Sequence, residues 1–231
     1  MPTATYAERR GQIETYFDRT AAEAWKRLTS DAPVSGIRAT VRRGREEMRR
    51  TLLSWLPAEM AGLRLYDAGC GTGALAVEAA SARGAEVLAV DLSATLVGLA
   101  AERAPPGLAL EFRVGDMLDP SFGAFDHVVA MDSLIHYRAP DAVRVLAGFA
   151  PRTRRSILFT FAPRTAPLAA MHAVGRLFPR GDRAPAIEPV AEASLRRLIA
   201  GEPALRGWHV GRTRRIVSGF YTSQAMELVR S

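Results

Sequence analysis

Apolar positions fall into two textures along the chain. Up to about residue 60 they recur at helical spacing. Within "YFDRTAAEAWKRL", Tyr16, Phe17, Ala21, Ala24, Trp25 and Leu28 share one stripe, and Val41, Met48, Leu52, Trp55 and Leu56 form a second, with "TSDAPVSG" breaking the two. From Leu63 onward short apolar runs alternate with Gly or Pro punctuation and helical stretches. The runs "LRLYD" (63–67), "EVLAVD" (86–91), "LEFRV" (110–114), "FDHVVAM" (125–131) and "SILFTF" (156–161) are predicted strands. Strand–helix alternation predicts a parallel sheet covered by helices, and five strands joined by right-handed crossovers make a doubly wound α/β sheet. The closing stretch "WHVGRTRRIVSGFYTSQAMELVR" reads as two strands about Ser218-Gly219, an antiparallel hairpin at the sheet edge. The segment from Pro163 to about residue 200 is long for a strand–helix connection, and such connections are usually lids or binding segments. The expected organisation is a helical arm over 1–60 and an α/β domain over 61–231 with a substrate-side insertion at about 163–200.

Length and composition narrow this picture. The 231 residues, 48% of them hydrophobic, suffice for one such domain with appendages. No apolar run approaches a membrane span, and "MPTATYAERR" carries charge where a signal peptide would be apolar, so a cytoplasmic location is expected. A single cysteine, Cys70, excludes an internal disulfide, and no metal site is expected. The net charge of +7 would suit anionic partners. Nearly all of it is arginine, Lys26 being the only lysine, and no basic run is interleaved with stacking aromatics, so nucleic acid is not an expected partner.

The chemistry concentrates in "YDAGCGTGALAVEAA", where the first strand hands over to the first helix. Gly69, Gly71 and Gly73 permit positive φ and let a ligand approach the backbone, while the following helix offers its unpaired N–H groups. Asp91, closing the second strand, is placed to accept hydrogen bonds from two ribose hydroxyls. "GCGTGA" also satisfies the dinucleotide pattern G-x-G-x-x-G/A. Asp67 argues against that reading: two residues before the first glycine, its carboxylate would repel a pyrophosphate but suit an α-amino group. S-adenosyl-L-methionine is therefore the expected cofactor, with S-adenosyl-L-homocysteine as product. The run D-x-G-x-G-x-G, an acid ending the second strand and "GDM" after the third resemble the class I methyltransferase pattern, whose Rossmann-like sheet matches the predicted one. That resemblance implies that Asp116 and Met117 flank the adenine, Asp116 reaching its exocyclic amine. Cys70 and Leu92 complete the expected cofactor contacts, and Cys70 is read as a small loop residue rather than a nucleophile.

The acceptor is expected beyond the carboxyl end of the fourth strand, at "MDSLIHY". No "NPPY"-like run stands there, which disfavours nucleic-acid and glutamine methylation. "YFDRTAAEAWKRL", "MDSLIHYRAPDAV", "LFTFAPRT", "GRLFPRGDRAP" and "SGFYTSQAMELVR" closely resemble the magnesium protoporphyrin IX O-methyltransferase family of bacteriochlorophyll and chlorophyll biosynthesis. The resemblance implies transfer of a methyl group to one propionate of magnesium protoporphyrin IX, and docking to magnesium chelatase. The basic surface would also allow peripheral contact with a photosynthetic membrane. The aromatics of the arm would cover the macrocycle, and Arg38, Arg164, Arg176, Arg180 and Arg183 are available for its propionates. His136, Tyr16 and Tyr137 are the candidate catalytic side chains. A propionate is already ionised at pH 7, so His136 is read as a positioning group rather than a base. Asp132 is assigned to the cofactor side of the strand end. His127, His172 and His209 are read as structural or surface residues. Other small acceptors, such as a quinone or polyketide hydroxyl, and a non-catalytic tetrapyrrole-binding role remain open alternatives, and a nicotinamide reductase is a third.

Overall fold

The computed structural model describes residues 4–19, 36–164 and 187–231. The arm opens with α1 (Ala4–Arg19) and α2 (Gly36–Trp55). The alternating part follows as β1 (Arg64–Ala68), α3 (Ala74–Arg83), β2 (Glu86–Asp91), α4 (Ala94–Arg103), β3 (Leu110–Val114), β4 (Phe125–Ala130), α5 (Ala139–Phe149) and β5 (Thr153–Phe161). The chain closes with α6 (Glu192–Gly201), β6 (Trp208–Ser218) and β7 (Tyr221–Arg230). Among the described residues these strands form one seven-stranded sheet in the order β3-β2-β1-β4-β5-β7-β6. Strands β1 to β5 pair in parallel, and β7 runs antiparallel to both β5 and β6. The order reverses between β1 and β4, which opens a crevice at their carboxyl ends.

Central strands covered on both faces must be apolar throughout. β4 is buried at all six positions and β1 at its last four. One face of the sheet packs Tyr66, Val128, Ile157 and Phe159 against α5 and α6 through Leu146, Phe149, Leu195 and Ile199. The other packs Leu65, Val129 and Leu158 against α2 and α3. In α2 the buried positions Gly44, Met48, Thr51 and Leu52 recur at helical spacing. A methyl group on Gly44 would run into the Tyr221 ring, so the absence of a side chain there lets α2 lie directly on β7. Met48 and Leu52 are fully buried, each contributing roughly 1.5–3 kcal/mol of apolar burial. α2 is thus part of the core of the α/β fold.

α1 crosses the carboxyl ends of the strands and is tied down by polar contacts. The Tyr6 hydroxyl and Arg10 guanidinium both donate to Asp116 at 2.7 Å, and Thr5 donates to Asp141 at 2.9 Å. Asp18 accepts from the Ser93 hydroxyl at 2.6 Å, at the head of α4. The ends of the predicted insertion are pinned, since Arg164 N–H donates to Val190 O and Glu188 N–H to Ile135 O. No helix among the described residues is long and apolar enough to cross a membrane.

Candidate active site

The crevice between β1 and β4 is a cleft of about 670 Å³, and its wall carries Asp67, Gly69, Cys70, Gly71, Asp91 and Leu92 from the first two strand–helix turns. Met117 closes the wall from the loop after β3. Its carbonyl accepts from the Tyr66 hydroxyl at 3.1 Å and from Arg152, which fixes that loop to the core.

Asp67 carries the most informative chemistry. The residue is 1% exposed, and its Oδ2 accepts no hydrogen bond among the described residues. Burial first, and the nearby Asp91 charge second, raise its pKa from 3.8 to about 7 against the opposing hydrogen bond from the Ala76 backbone N–H. A buried carboxylate oxygen with no donor, beside a second carboxylate, makes a site for a cationic group. Asp91 is held differently: one oxygen accepts from Gly71 N–H at 2.8 Å and the other from Ser93 N–H at 3.0 Å. These bonds fix the plane of the carboxylate and leave each oxygen a lone pair. Gly71 sits at φ 54°, and a Cβ there would meet nothing within 4 Å, so the loop presents bare backbone to open space. The α-ammonium, ribose diol and close approach of S-adenosylmethionine fit these three features.

Gly73 serves the fold instead. It does not line the cleft, and at φ 76° a Cβ would lie 2.7 Å from the Phe112 ring. Cys70 lines the cleft, but burial, together with Asp67 and Asp91, holds its thiol well above the usual range, so it stays protonated at neutral pH. Asp116 lies just behind the lining, with both oxygens engaged by Tyr6 and Arg10 and one also accepting from Leu118 N–H. Sequence reading missed Tyr6. It stacks on Tyr137 with ring centroids 5.1 Å apart and shares one face of α1 with Ile13 and Phe17, the spacing that marks it for burial.

The acceptor side of the same cleft brings together Tyr16, Phe17, Ile135, His136 and Tyr137. His136 ends a short 3-10 turn (Leu134–His136) after β4 and is buried against the edge of Phe17, with ring centroids 6.2 Å apart. Phe17 in turn meets Tyr16 edge-on at 5.2 Å. Tyr137 is buried deeply enough to push its phenol far above the usual range, so it can only donate or accept a hydrogen bond as a neutral group. His127 bonds Ser156 at 2.7 Å inside the sheet, where burial lowers its pKa to about 4, and His209 bonds Ser231 at the edge.

Asp132 is the hub of a network. It sits in the left-handed region at φ 53°, a strained conformation for a residue with a side chain. Four groups hold it: Arg45 at 2.7 Å, Tyr221 hydroxyl at 3.1 Å, Ser223 hydroxyl at 3.3 Å and Thr160 hydroxyl at 3.2 Å. These come from α2, β7 and β5, and Arg45 and Tyr221 also line the cleft. Sequence reading named neither. Of the arginines expected near an acceptor, Arg38 lines the cleft, Arg164 is exposed and does not, and Arg176, Arg180 and Arg183 lie outside the described residues, as do Trp25 and His172.

Among known proteins, the family described as "Magnesium-protoporphyrin IX methyltransferase C-terminus" matches residues 130–230, and a "Methyltransferase domain" matches 65–155. The magnesium-protoporphyrin O-methyltransferase of Rhodobacter capsulatus is 50% identical over 98% of this chain and 99% of its own. The chloroplastic magnesium protoporphyrin IX methyltransferase of Arabidopsis thaliana is 30% identical over 94% of this chain and 70% of its own. The crystal structure of magnesium protoporphyrin IX methyltransferase from Synechocystis PCC 6803 with bound S-adenosylhomocysteine superposes with a TM-score of 0.83 at 28% identity, covering 96% of this chain and 99% of that one. With a full-length relative at half identity and a shared fold, the chain belongs to the magnesium-protoporphyrin O-methyltransferase family.

Proposed function

We propose that the protein transfers a methyl group from S-adenosylmethionine to one propionate of magnesium protoporphyrin IX, giving the monomethyl ester. The observation that carries this reading is one continuous cleft, in which the ammonium-seeking Asp67 and the bare Gly71 backbone open toward His136, Tyr16 and Tyr137. The cofactor, when bound, supplies a methyl group on a positively charged sulfur, an electrophile that a carboxylate oxygen takes by in-line displacement. On this reading Asp67 binds the α-ammonium, Asp91 the ribose hydroxyls, Leu92 and Met117 the adenine faces, and Asp116 orders that end of the site.

A propionate arrives ionised, so the acceptor side has no proton to remove. The task left to the chain is orientation, which is worth several orders of magnitude in rate for a displacement. His136 donates a hydrogen bond that aims the carboxylate, with Tyr16 and Tyr137 beside it. Asp132 holds the end of β4 in its strained turn and so sets where His136 stands. α1, whose Tyr16 and Phe17 line the cleft beside His136, covers the macrocycle and excludes water from the reacting atoms. Docking to magnesium chelatase and peripheral membrane contact accord with the +7 charge and with exposed Ile37 and Phe220.

The test is direct. The protein is incubated with S-adenosylmethionine and either magnesium protoporphyrin IX or the metal-free macrocycle, and the monomethyl ester is sought by chromatography. Absence of ester from the magnesium substrate would overturn the reading. A quinone hydroxyl acceptor would instead need His136 as a base, and its rate would fall as His136 is protonated.

A further inference from the structure

The glycine loop spends its own backbone donors. Gly69 and Cys70 N–H both donate to the Val90 carbonyl, at 2.8 and 3.0 Å, Gly71 N–H donates to Asp91, and Gly73 N–H donates to the Cys70 carbonyl. These bonds shape the loop and leave those four groups nothing to offer an anion. An α-amino acid group carries its carboxylate on the same carbon as its ammonium. A corner that seats the ammonium at Asp67 must therefore supply the carboxylate with a donor from elsewhere.

Ser133 stands at that corner. It lines the cleft, and a Cβ on Gly69 would lie 2.4 Å from the Ser133 Cβ and 3.1 Å from its Oγ, so the first glycine of the loop is bare where the serine packs against it. The Ser133 Oγ is buried and has no hydrogen-bond partner among the described residues. A serine at the head of a helical turn ordinarily caps that turn. Ser133 heads the turn Leu134–His136, yet its side chain makes no capping bond. A buried hydroxyl without a partner costs stability, and this one is spent on neither its own turn nor the surrounding fold.

The backbone is strained to put it there. Glycines aside, Asp132 is the one described residue with a positive φ, at 53°. Rotating that bond back to the usual negative range would swing Ser133 away from Gly69. Restraints act on both sides of the bond. The Asp132 N–H donates to Thr160 Oγ1 at 2.7 Å, and its carboxylate is gripped by Arg45 at 2.7 Å and by the Tyr221 hydroxyl at 3.1 Å. Strain maintained in this way at a ligand cleft points to function.

We propose that the Ser133 hydroxyl donates to the α-carboxylate of the cofactor's methionyl group, so that the protein distinguishes the whole cofactor from fragments that lack the amino acid end. The inference rests on the assignment of Asp67 to the α-ammonium made above. Asp67 and Ser133 divide the amino acid end between them, one by charge and the other by a hydrogen bond. A neutral hydroxyl holds the anion without adding a cation that would compete with the ammonium for Asp67. Because His136 closes the turn that Ser133 opens, the contact also ties the cofactor to the segment carrying His136.

The test compares S-adenosylhomocysteine with 5′-methylthioadenosine, which keeps the adenosine and sulfur but lacks the amino acid end, by calorimetric titration of the parent and S133A. The expected result is a roughly tenfold loss of S-adenosylhomocysteine affinity in S133A, the size of a hydrogen bond to a charged group, with 5′-methylthioadenosine affinity within about twofold. The melting temperature of empty S133A stays at or above that of the parent, because the hydroxyl it loses had no partner. A merely structural serine would lower that temperature and would not separate the two ligands. A loss for S-adenosylhomocysteine below about threefold, or an equal loss for both ligands, would overturn the contact. If the parent itself binds both ligands equally, the Asp67 assignment fails instead.

Discussion

Replacing Asp67 by Asn tests the cationic pocket without altering its shape. In the cofactor-free protein the Asp67 carboxyl titrates near 7 rather than 3.8 because burial and Asp91 oppose its charge. A carboxyl raised on folding binds a proton that the unfolded chain releases. Its effect is nil below about pH 3.8, destabilises progressively between 3.8 and 7, and is complete above 7. At 1.36 kcal/mol for each tenfold change, the full cost is about 4 kcal/mol. At pH 5 it is about 1.5 kcal/mol, so the stability of D67N relative to the parent should grow by about 2–3 kcal/mol between pH 5 and pH 8. For a chain of this size that is about 5–10 °C in Tm. The buried amide of Asn introduces a constant cost of about 1–3 kcal/mol, which moves both ends of the profile together and leaves its slope intact. Differential scanning calorimetry of both proteins across this pH range, without cofactor, measures the slope. In parallel, cofactor affinity at pH 8 should fall roughly tenfold to hundredfold as the ammonium loses its counter-charge. A stability difference independent of pH, or unchanged affinity, would refute the assignment of Asp67 as an ionisable ammonium site.

Further outcomes follow from the other side chains. His136→Ala should lower turnover at least about tenfold while S-adenosylmethionine affinity stays within about twofold, because a lost orienting group acts in the transition state alone; near-parental turnover would remove His136 from the reaction. Asp91→Ala should weaken cofactor binding at least about tenfold by calorimetry, since it removes the ribose acceptor and frees Gly71 N–H. Gly73→Ala should cost about 2–4 kcal/mol in chemical denaturation, combining positive φ with a 2.7 Å approach to Phe112. A loss under about 1 kcal/mol would show that the ring gives way.

Much of the fold was legible because the parallel strands are buried on both faces and read as unbroken apolar runs. β1, β2, β3 and β4 fall within a residue of the predicted runs. β5 starts three residues earlier than expected, at Thr153 rather than Ser156. Its first turn of strand contains Arg154 and Arg155, whose charges mask a paired backbone and are satisfied by Asp126 at 3.7 and 3.8 Å. α1 begins at Ala4, well before the aromatic stripe: Tyr6 and Ile13 extend the face of Phe17 toward the amino terminus, but the charged residues between them hide the pattern. The glycine loop, Asp67 and Asp91 were readable as a local motif. The Arg45–Asp132–Tyr221 network was not: its members are separated by nearly 90 residues on either side of Asp132, and nothing in α2 distinguishes Arg45 from its neighbours.

The hydrogen bond from Gly71 N–H to Asp91 gives the cofactor loop its shape before any ligand arrives. Preorganisation of this kind shifts the entropy of ordering the loop from binding to folding. Burial raises the pKa of both carboxylates, but Asp91 is held by backbone donors that also shape the loop. Oδ2 of Asp67, near the end of the adjacent strand, accepts no hydrogen bond among the described residues, and its charge destabilises the empty protein until a cation relieves it. The filled enzyme should consequently be much more resistant to unfolding than the empty one, and loss of the cofactor would expose a protein primed for turnover. Cofactor supply would then govern how much of this enzyme persists, as well as how fast it works.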